Sequence, residues 1–561
     1  MSVTTKPRKA STRNPRAGSS NYRWLVAALC ALLMVAFEAA VVTAQDKKNA
    51  PAKSSALVNE AAALLESGRL EEAEAAARRA VASQPRNTAA RSVLGAILDH
   101  RGLAKEAEAE YRAALRLDPN STTALSNLGV LLVRTSRSDQ AILTFERVLK
   151  LAPGHTQARF NLATLYVAHR DYDRVIQVLE PALKDKKSQG ANDLGLMLTL
   201  ANAYAHVNRD ADAAKLFDEI ESRAGSDPRV LFTLGLSAAE AGAYARAADL
   251  FARTDKLRPN TYEVLYNLGT ALYNLNRLDE ARLALQQAGT LNPEQPEVFY
   301  RLGQIASARG ESENALGLLQ RAVKLRPVYP EAHFLMAEEL VKNERFGRAI
   351  SFYEQAIKEA PDEVLYQIRL GVLHFRNREY SKAEEIFRGS LKRFPDSPVL
   401  HYLLGYTARA EGLYEEAAKS FLRSVELEPN NAAALSNLGY LALERGEISQ
   451  AEGLLRRAIA LDSNHYPAHY DLGRLLVRLK RYEEALPILE RGIVLGKNDP
   501  GIHYQLFIAY SRLKRKDDAD RELARFKTLE EARKQGDSGM SKDELPPPKV
   551  NNDTAVKEER P

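Results

Sequence analysis

In this 561-residue chain, one pair of histidines comes closest to a metal-binding pattern. His465 and His469 are four residues apart, which is the spacing of two metal ligands on one face of a helix. His465, however, precedes Pro467 and falls in a predicted loop, and no third ligand stands nearby. Histidine also recurs at intervals of 34 or 68 residues, which indicates a packing role: His333, His401, His469 and His503. We therefore predict no metal site.

Sequence motifs for catalysis and cofactor binding are also missing. The chain has no strand pattern in which a phosphate-binding glycine loop could be placed, and no Gly-x-Ser-x-Gly, P-loop or Cys-x-x-Cys sequence. Cys30 is the only cysteine and lies near the N-terminus, so the rest of the chain contains no thiolate or disulfide site. The sequence predicts a protein that is not an enzyme and that needs no cofactor.

Aromatic and arginine side chains, in contrast, recur in a regular series that suits the binding of another molecule. Both types are enriched at binding hot spots, because they bury much area for few lost rotamers. For a single aromatic residue, packing inside the fold is the alternative. Eight aromatic residues share one place in the pattern: Phe160, Phe232, Tyr266, Tyr300, Phe334, Tyr402, Tyr470 and Tyr504. Neighbouring places add Tyr273, Lys342, Phe375, Arg376, Tyr406, Arg409, Tyr440, Arg474, Arg478 and Arg512.

The elements that must position these side chains are visible in residues 262–295. Leu265, Leu268, Gly269 and Leu272 stand at i, i+3, i+4 and i+7, which places them on one face of a first helix. A second helix carries Ala281, Leu285 and Ala288 on its inner face and ends before Pro293, which cannot continue it. The segment is therefore a helical hairpin, and it leaves an apolar surface that only another copy can cover.

The hairpin resembles a tetratricopeptide repeat, because Leu268, Gly269, Ala281 and Pro293 match four signature positions of that family. The resemblance implies an all-α fold, a right-handed superhelical solenoid of about fourteen 34-residue helix-turn-helix repeats. Unit position 8 is Gly or Ala in all but the last unit, and unit position 20 is Ala in all but the fourth. The units begin at Ser54, Thr88, Thr122, Thr156, Leu194, Pro228, Tyr262, Pro296, Pro330, Val364, Pro398, Ala432, Tyr466 and Pro500.

In this family, unit positions 5, 9, 12 and 13 of the first helix face a concave groove, which is where the resemblance places the aromatic and arginine series. The chain departs from the family at unit position 4, where the frequent tryptophan is absent throughout. It also lacks the family's carboxylate clamp, a fixed set of Lys, Asn and Arg in three consecutive units. The resemblance therefore implies binding of extended protein segments and gives no support for chaperone-tail binding of the clamp type.

The segments outside the repeats predict export. Residues 1–44 combine a basic stretch with the apolar run Trp24 to Phe37, and Val42-Thr43-Ala44 supplies a small-residue cleavage pattern. The alternative is an uncleaved anchor over residues 24–44 that contacts the membrane. Either outcome exports the repeats, which would be periplasmic or secreted, or anchored to the inner membrane. We expect a linker at 45–53, repeats 1–4 at 54–189, an insertion at 190–193, repeats 5–14 with a cap at 194–533, and a disordered tail at 534–561.

Charge gives no reason to expect a nucleic-acid partner. The formal net charge is +6, and residues 1–44 hold six basic residues against Glu38, so only +1 belongs to the remainder. The chain resembles exported bacterial-type tetratricopeptide proteins, which implies a non-enzymatic scaffold that binds protein or peptide segments in envelope assembly or secretion. A second hypothesis is an accessory subunit of polysaccharide synthesis or export that binds an acidic glycan. The pattern specifies no oligomeric state.

Overall fold

The computed structural model describes residues 52–184, 193–496 and 498–534, and the regular elements in these ranges are 28 α-helices. The predicted all-α fold of helix-turn-helix repeats is confirmed. The predicted leader at 1–44, and almost all of the predicted linker and tail, lie outside the described residues. None of the helices in the described ranges combines the length and apolar character needed to cross a membrane. Two compact units meet in sequence between Arg301 and Leu302, and each is described by itself.

The helices alternate between a first and a second helix of each repeat. Up to the unit boundary they are α1 (Ala52–Glu66), α2 (Leu70–Ser83), α3 (Thr88–His100), α4 (Ala104–Leu117), α5 (Thr122–Arg134), α6 (Ser138–Leu151), α7 (Thr156–Ala168), α8 (Tyr172–Lys184), α9 (Leu194–His206), α10 (Asp210–Ala224), α11 (Pro228–Glu240), α12 (Tyr244–Leu257), α13 (Tyr262–Asn274), α14 (Leu278–Leu291) and α15 (Pro296–Ala308), which contains the boundary.

The second unit continues the alternation. Its helices are α16 (Ser312–Leu325), α17 (Pro330–Lys342), α18 (Phe346–Glu359), α19 (Val364–Arg376), α20 (Tyr380–Leu391), α21 (Pro398–Ala410), α22 (Tyr414–Leu427), α23 (Ala432–Glu444), α24 (Ile448–Leu461), α25 (Tyr466–Arg478), α26 (Tyr482–Leu495), α27 (Pro500–Arg512) and α28 (Lys516–Lys534).

Local signals set the start of the first helices. In repeat 11, the Ser397 hydroxyl accepts a hydrogen bond from the Leu400 amide at 3.5 Å, and Pro398 occupies the first turn, where its missing N–H costs nothing. Asp227 acts in the same way before α11, accepting from the Arg229 amide at 2.8 Å. From the second repeat onward, each first helix begins at the first residue of its 34-residue unit.

Close packing explains the small residues inside each hairpin. A Cβ atom on Gly269 would lie 2.6 Å from the Leu285 side chain and 3.1 Å from the Ala281 carbonyl oxygen. In repeat 10, a Cβ on Gly371 would lie 2.3 Å from the Phe387 ring. Unit position 8 therefore stays small because the large side chain at unit position 24 lies directly on it. The alanine at unit position 20 is small because the two helices cross there.

The turn inside each hairpin has a left-handed residue at unit position 15 in all fourteen repeats. Six repeats use glycine, with φ from +74° to +78°, and eight use other residues, such as Asn276 at +59° and Arg378 at +60°. Hydrogen bonds to the preceding helix fix this conformation, since the Arg277 amide donates to the Leu272 carbonyl at 2.9 Å. This is a helix C-terminal motif that glycine adopts without a Cβ penalty.

We expect Gly412→Ala to lower the free energy of unfolding by about 1 kcal/mol, because a Cβ at positive φ is strained. A Cβ there would meet no atom within 4 Å, so the cost is conformational alone. The matched control is Gly453→Ala, inside α24 and equally free of contacts, which should stabilise by about 0.5–1 kcal/mol. Urea unfolding of both variants measures the difference. The same sign of change for both would contradict the left-handed assignment.

Ion pairs join successive second helices in register. Arg388 contacts Glu384 of its own helix at 2.6 Å and Glu416 of the next repeat at 2.8 Å. The same arrangement joins Arg456 to Glu484 at 3.2 Å in the second unit, and Arg78 to Glu106 at 3.4 Å in the first. Exposed pairs of this kind contribute roughly 0–1 kcal/mol each. Their relevance to function is that second-helix arginines such as Arg388 and Arg456 are already paired with carboxylates.

Candidate protein-binding surface

The predicted binding residues of the first unit all lie on first helices, with part of each side chain exposed. Phe232 is half-buried and packs at a tilt against Phe251, with 5.7 Å between ring centroids. Tyr266 stacks on Tyr262 at 5.9 Å. The remaining three are also half-buried: Phe160, Tyr273 and Tyr300. These residues therefore combine packing within the hairpin with a limited exposed surface.

In the second unit, two of the predicted contact residues are buried. Tyr402 is 7% exposed and Tyr406 is 6% exposed. The Tyr402 ring packs against Phe421 of the same hairpin at 5.5 Å and against Tyr406 at 6.1 Å, and the Tyr406 ring lies 5.2 Å from Phe375 of the preceding repeat. The prediction that Tyr402 and Tyr406 contact a partner with their rings is thus corrected, because neighbouring helices cover them. They support the surface and do not form it.

Phe334 is intermediate between these cases. It is half-buried, and its ring stacks on Tyr366 of the next repeat at 4.7 Å and tilts against Tyr353 at 5.7 Å. Aromatic residues at unit position 5 therefore contact both their own second helix and the following repeat. This packing accounts for much of the aromatic series without any ligand.

The more exposed part of the series lies in repeats 12–14. Tyr504 is 41% exposed and rests against Phe526 at 5.2 Å. Tyr470 is half-buried and stacks on Tyr466 at 6.2 Å. Tyr440 is half-buried between two guanidinium groups, with Arg409 at 5.3 Å and Arg474 at 6.0 Å from its ring centroid. Cation–π contacts of this kind order the arginine side chains.

Successive first helices in this region meet through side-chain contacts. Arg409 of repeat 11 lies over Tyr440 of repeat 12, and Arg474 of repeat 13 pairs with Glu444 of repeat 12 at 3.3 Å. The Tyr470 hydroxyl of repeat 13 lies against Gly501 of repeat 14, where a Cβ would be only 2.7 Å away. The first helices of repeats 11–14 therefore form one continuous face, which we call the aromatic–arginine surface.

Four of the predicted arginines on the first helices of repeats 10–14 differ from the ion-paired arginines of the second helices, such as Arg388 and Arg456. Among the described residues, none of the four takes part in an ion pair: Arg376, Arg409, Arg478 and Arg512. Arg376, Arg478 and Arg512 are exposed, and Arg409 is half-buried. Arg474 is different, because it is held by Glu444 at 3.3 Å and Asp471 at 3.5 Å. The predicted arginines therefore comprise four with no ion-pair partner and one that is neutralised.

Two buried polar side chains lie beneath this surface, and the sequence reading did not single them out. Burial raises the pKa of Asp471 to about 6, with Arg474 and Arg409 opposing the rise and Glu444 adding to it. The Asn437 amide group donates to the Ala433 carbonyl at 2.8 Å, while its own Oδ1 is buried with no partner among the described residues. Both occupy unit position 6, so aligning that position across the repeats could have found them.

The histidines of unit position 4 make local hydrogen bonds in place of the absent tryptophan. His401 Nε2 donates to the Pro395 carbonyl at 2.9 Å, and His469 Nε2 donates to the Ser463 carbonyl at 3.1 Å. His465 lies in the loop before α25, 3.8 Å from Asp462. Across the residues that the structure describes, no group of three or more His, Cys, Asp or Glu side chains is placed to hold a metal ion.

Comparison with known families gives two matching models, both described as tetratricopeptide repeat. One matches residues 132–191, 238–305 and 442–503. The other matches residues 58–122, 198–262, 334–398 and 402–466. Together these matches cover well over half of the chain. A search of curated protein sequences finds no match.

The solved structures that match this chain include three that cover most of its length. Yeast Tom70 has 15% identity and a TM-score of 0.36, covering 86% of this chain and 96% of that chain. Cut9–Hcn1, an APC/C hetero-tetramer, has 15% identity and a TM-score of 0.33, covering 82% and 96%. Naa15/Naa10 bound to HypK-THB has 16% identity and a TM-score of 0.29, covering 85% and 94%.

Proposed function

Because the chain belongs to the tetratricopeptide repeat family, we propose that it is a non-enzymatic scaffold that binds protein segments along the first helices of its repeats. The observation that carries this proposal is the aromatic–arginine surface of repeats 11–14, where the partly exposed Tyr440, Tyr470 and Tyr504 share the first helices with Arg409, Arg478 and Arg512, which have no ion-pair partner among the described residues. A surface of partly exposed aromatic rings and arginines suits the anchor residues of a protein partner.

The proposal extends to the place of action. The basic and apolar leader at 1–44 supports export, and the scaffold then serves envelope assembly or secretion, either free in the periplasm or anchored through residues 24–44. We expect added protease to degrade the protein in spheroplasts but not in intact cells. Degradation only after lysis of the spheroplasts would overturn export.

Site-specific photo-crosslinking tests the binding surface itself. A benzophenone amino acid placed at Tyr504 or Arg478 of the full chain in growing cells is expected to give discrete protein adducts after irradiation. The matched controls are Leu422 and Val494, which are 52% and 55% exposed and lie on second helices. We expect the first-helix positions to give at least about fivefold more adduct than the controls, because binding energy concentrates at such anchors.

Equal adduct yields at first-helix and second-helix positions would contradict the proposed surface. The glycan alternative is tested with the same protein, because aromatic rings and arginines also suit an acidic polysaccharide. The accessory-subunit function would be favoured if an immobilised acidic polysaccharide retained the full chain and did not retain a variant with Tyr504 and Arg478 replaced. It would also require that no protein adducts form in cells.

A further inference from the structure

The C-terminal ends of the first helices in repeats 10–14 carry a row of charged side chains. The row contains Arg376 of α19, Arg409 of α21, Glu444 of α23, Arg478 of α25 and Arg512 of α27. Arg474 does not add to its positive charge, because Glu444 and Asp471 both lie within 3.5 Å of its guanidinium group. The row therefore contains four arginines that have no ion-pair partner among the described residues, and one exposed carboxylate, that of Glu444.

Helix dipoles alone do not account for this row. A basic residue in the last turn of a helix is favourable at any helix end, so the dipole predicts such residues throughout the repeats. Four of the five row residues occupy unit position 13, and Arg409 lies one residue earlier, next to Ala410. At unit position 13 the first unit has Glu66, His100, Arg134, Ala168, His206, Glu240 and Asn274. Its one arginine there, Arg134, is neutralised by an ion pair with Asp99. The unpaired arginine row is a property of repeats 10–14.

The aromatic contacts leave the arginines able to bind carboxylates. Arg409 lies 5.1 Å from the Tyr406 ring centroid and 5.3 Å from that of Tyr440, and Arg376 lies 5.9 Å from that of Phe346. Arg409 also donates a side-chain hydrogen bond to Tyr406, but a guanidinium group has five N–H groups, so others remain to match the two oxygens of a carboxylate. Because the rings already restrict the arginine side chains, less side-chain entropy is lost when a carboxylate binds.

We propose that this row binds an extended acidic segment of a partner protein, with Arg376, Arg409, Arg478 and Arg512 contacting its carboxylates. The assignment rests on the proposed scaffold function and specifies the chemistry of the partner. Packed helices are about 8–10 Å apart, so five of them span about 40 Å. An extended peptide of about 12 residues covers that distance, and one of about 16 residues extends beyond it at both ends.

The test measures binding of fluorescein-labelled peptides to the full chain by fluorescence anisotropy. The probes are peptides about 16 residues long in which Ser alternates with Glu, Gln or Lys. The Glu–Ser peptide is expected to bind about tenfold or more tightly than the Gln–Ser peptide, because charge-assisted hydrogen bonds replace neutral ones. The Lys–Ser peptide is expected to bind no better than the Gln–Ser peptide.

Matched charge removal separates the arginine row from overall charge. Arg409→Gln with Arg478→Gln is expected to weaken Glu–Ser binding about tenfold. The control, Arg423→Gln with Arg456→Gln, removes the same charge from second helices and should change binding less than about twofold, because those arginines already pair with carboxylates. Thermal melts followed by circular dichroism check that both proteins remain folded.

Several outcomes would overturn the acidic-segment assignment. Equal binding of the Glu–Ser and Gln–Ser peptides would do so, as would equal losses in the two double variants. A further variant replaces four acidic residues of the C-terminal segment with the corresponding amides: Asp543, Glu544, Glu558 and Glu559. If this variant bound the Glu–Ser peptide about tenfold more tightly, the row would be assigned to this chain's own C-terminal segment. Photo-crosslinking at Tyr504 tests the scaffold function independently of the peptide assay. Protein adducts at Tyr504, together with equal binding of the Glu–Ser and Gln–Ser peptides, would support the scaffold function and reject the acidic partner.

Discussion

Phe421→Ala is expected to lower the free energy of unfolding by about 3–5 kcal/mol, the typical cost of removing a buried phenyl ring. Phe421 is fully buried in α22, and its ring fills the space left open by Gly405, where a Cβ would lie 2.9 Å away. The ring also supports Tyr402 at 5.5 Å. Its removal leaves a cavity at the point where the two helices of repeat 11 are closest.

The adjacent residue supplies the control for this substitution. Leu422 is 52% exposed on the same helix, and Leu422→Ala should change the unfolding free energy by less than about 0.5 kcal/mol. Because neighbouring repeats unfold with partial independence, hydrogen exchange in peptides of repeat 11 should accompany urea unfolding. Similar effects of the two substitutions would contradict the assignment of Phe421 to the hairpin core.

The same contacts change how Tyr402 can be used in experiments. A substitution of Tyr402 would disturb the Phe421 ring and the repeat 12 contact through Asn437, whose amide lies 3.5 Å from the Tyr402 hydroxyl. Loss of partner binding in a Tyr402→Ala variant would therefore have two explanations. Arg478 is a better probe, because it is exposed and makes no ion pair or ring contact among the described residues. Tyr504 is also more suitable than Tyr402, because it is 41% exposed, although its ring contacts Phe526.

The sequence predicts the fold class well because the repeat is enforced by steric contacts that leave a pattern. Gly269 and Ala281 must be small where helices cross, and such residues recur at the same two unit positions in nearly every hairpin. The left-handed turn residue is less visible. Arg378 and Asn276 adopt the same φ as the glycines of other repeats, because main-chain hydrogen bonds impose it whatever the side chain.

The exposure of the proposed binding residues could be predicted only in part, for a physical reason. Helical periodicity tells which side of a helix a residue occupies, but the next repeat determines how much of that residue it covers. Tyr402 and Tyr470 occupy the same unit position, yet the first is buried and the second is half-buried. Ion pairing is equally hidden, since Arg474 is held by Asp471 and Glu444, whereas Arg478, one turn later on the same helix, has no ion-pair partner among the described residues.

Gly269→Leu is expected to lower the free energy of unfolding by about 1–3 kcal/mol through overpacking. Its first added carbon would lie 2.6 Å from the Leu285 side chain and 3.1 Å from the Ala281 carbonyl, and the latter is backbone that cannot rotate away. Relief therefore requires α13 and α14 to separate. That movement would also weaken the contacts of Leu265 and Leu272.

The matched control for this substitution is Gly317→Leu, at a helical glycine in α16 whose added Cβ would meet no atom within 4 Å. Leucine is a better helix former than glycine, so this variant should be neutral or more stable by up to about 1 kcal/mol. Urea unfolding of the two variants gives the comparison. An unchanged midpoint for Gly269→Leu would show that the helices of repeat 7 do not cross at Gly269, and would remove the packing reason for the 34-residue period.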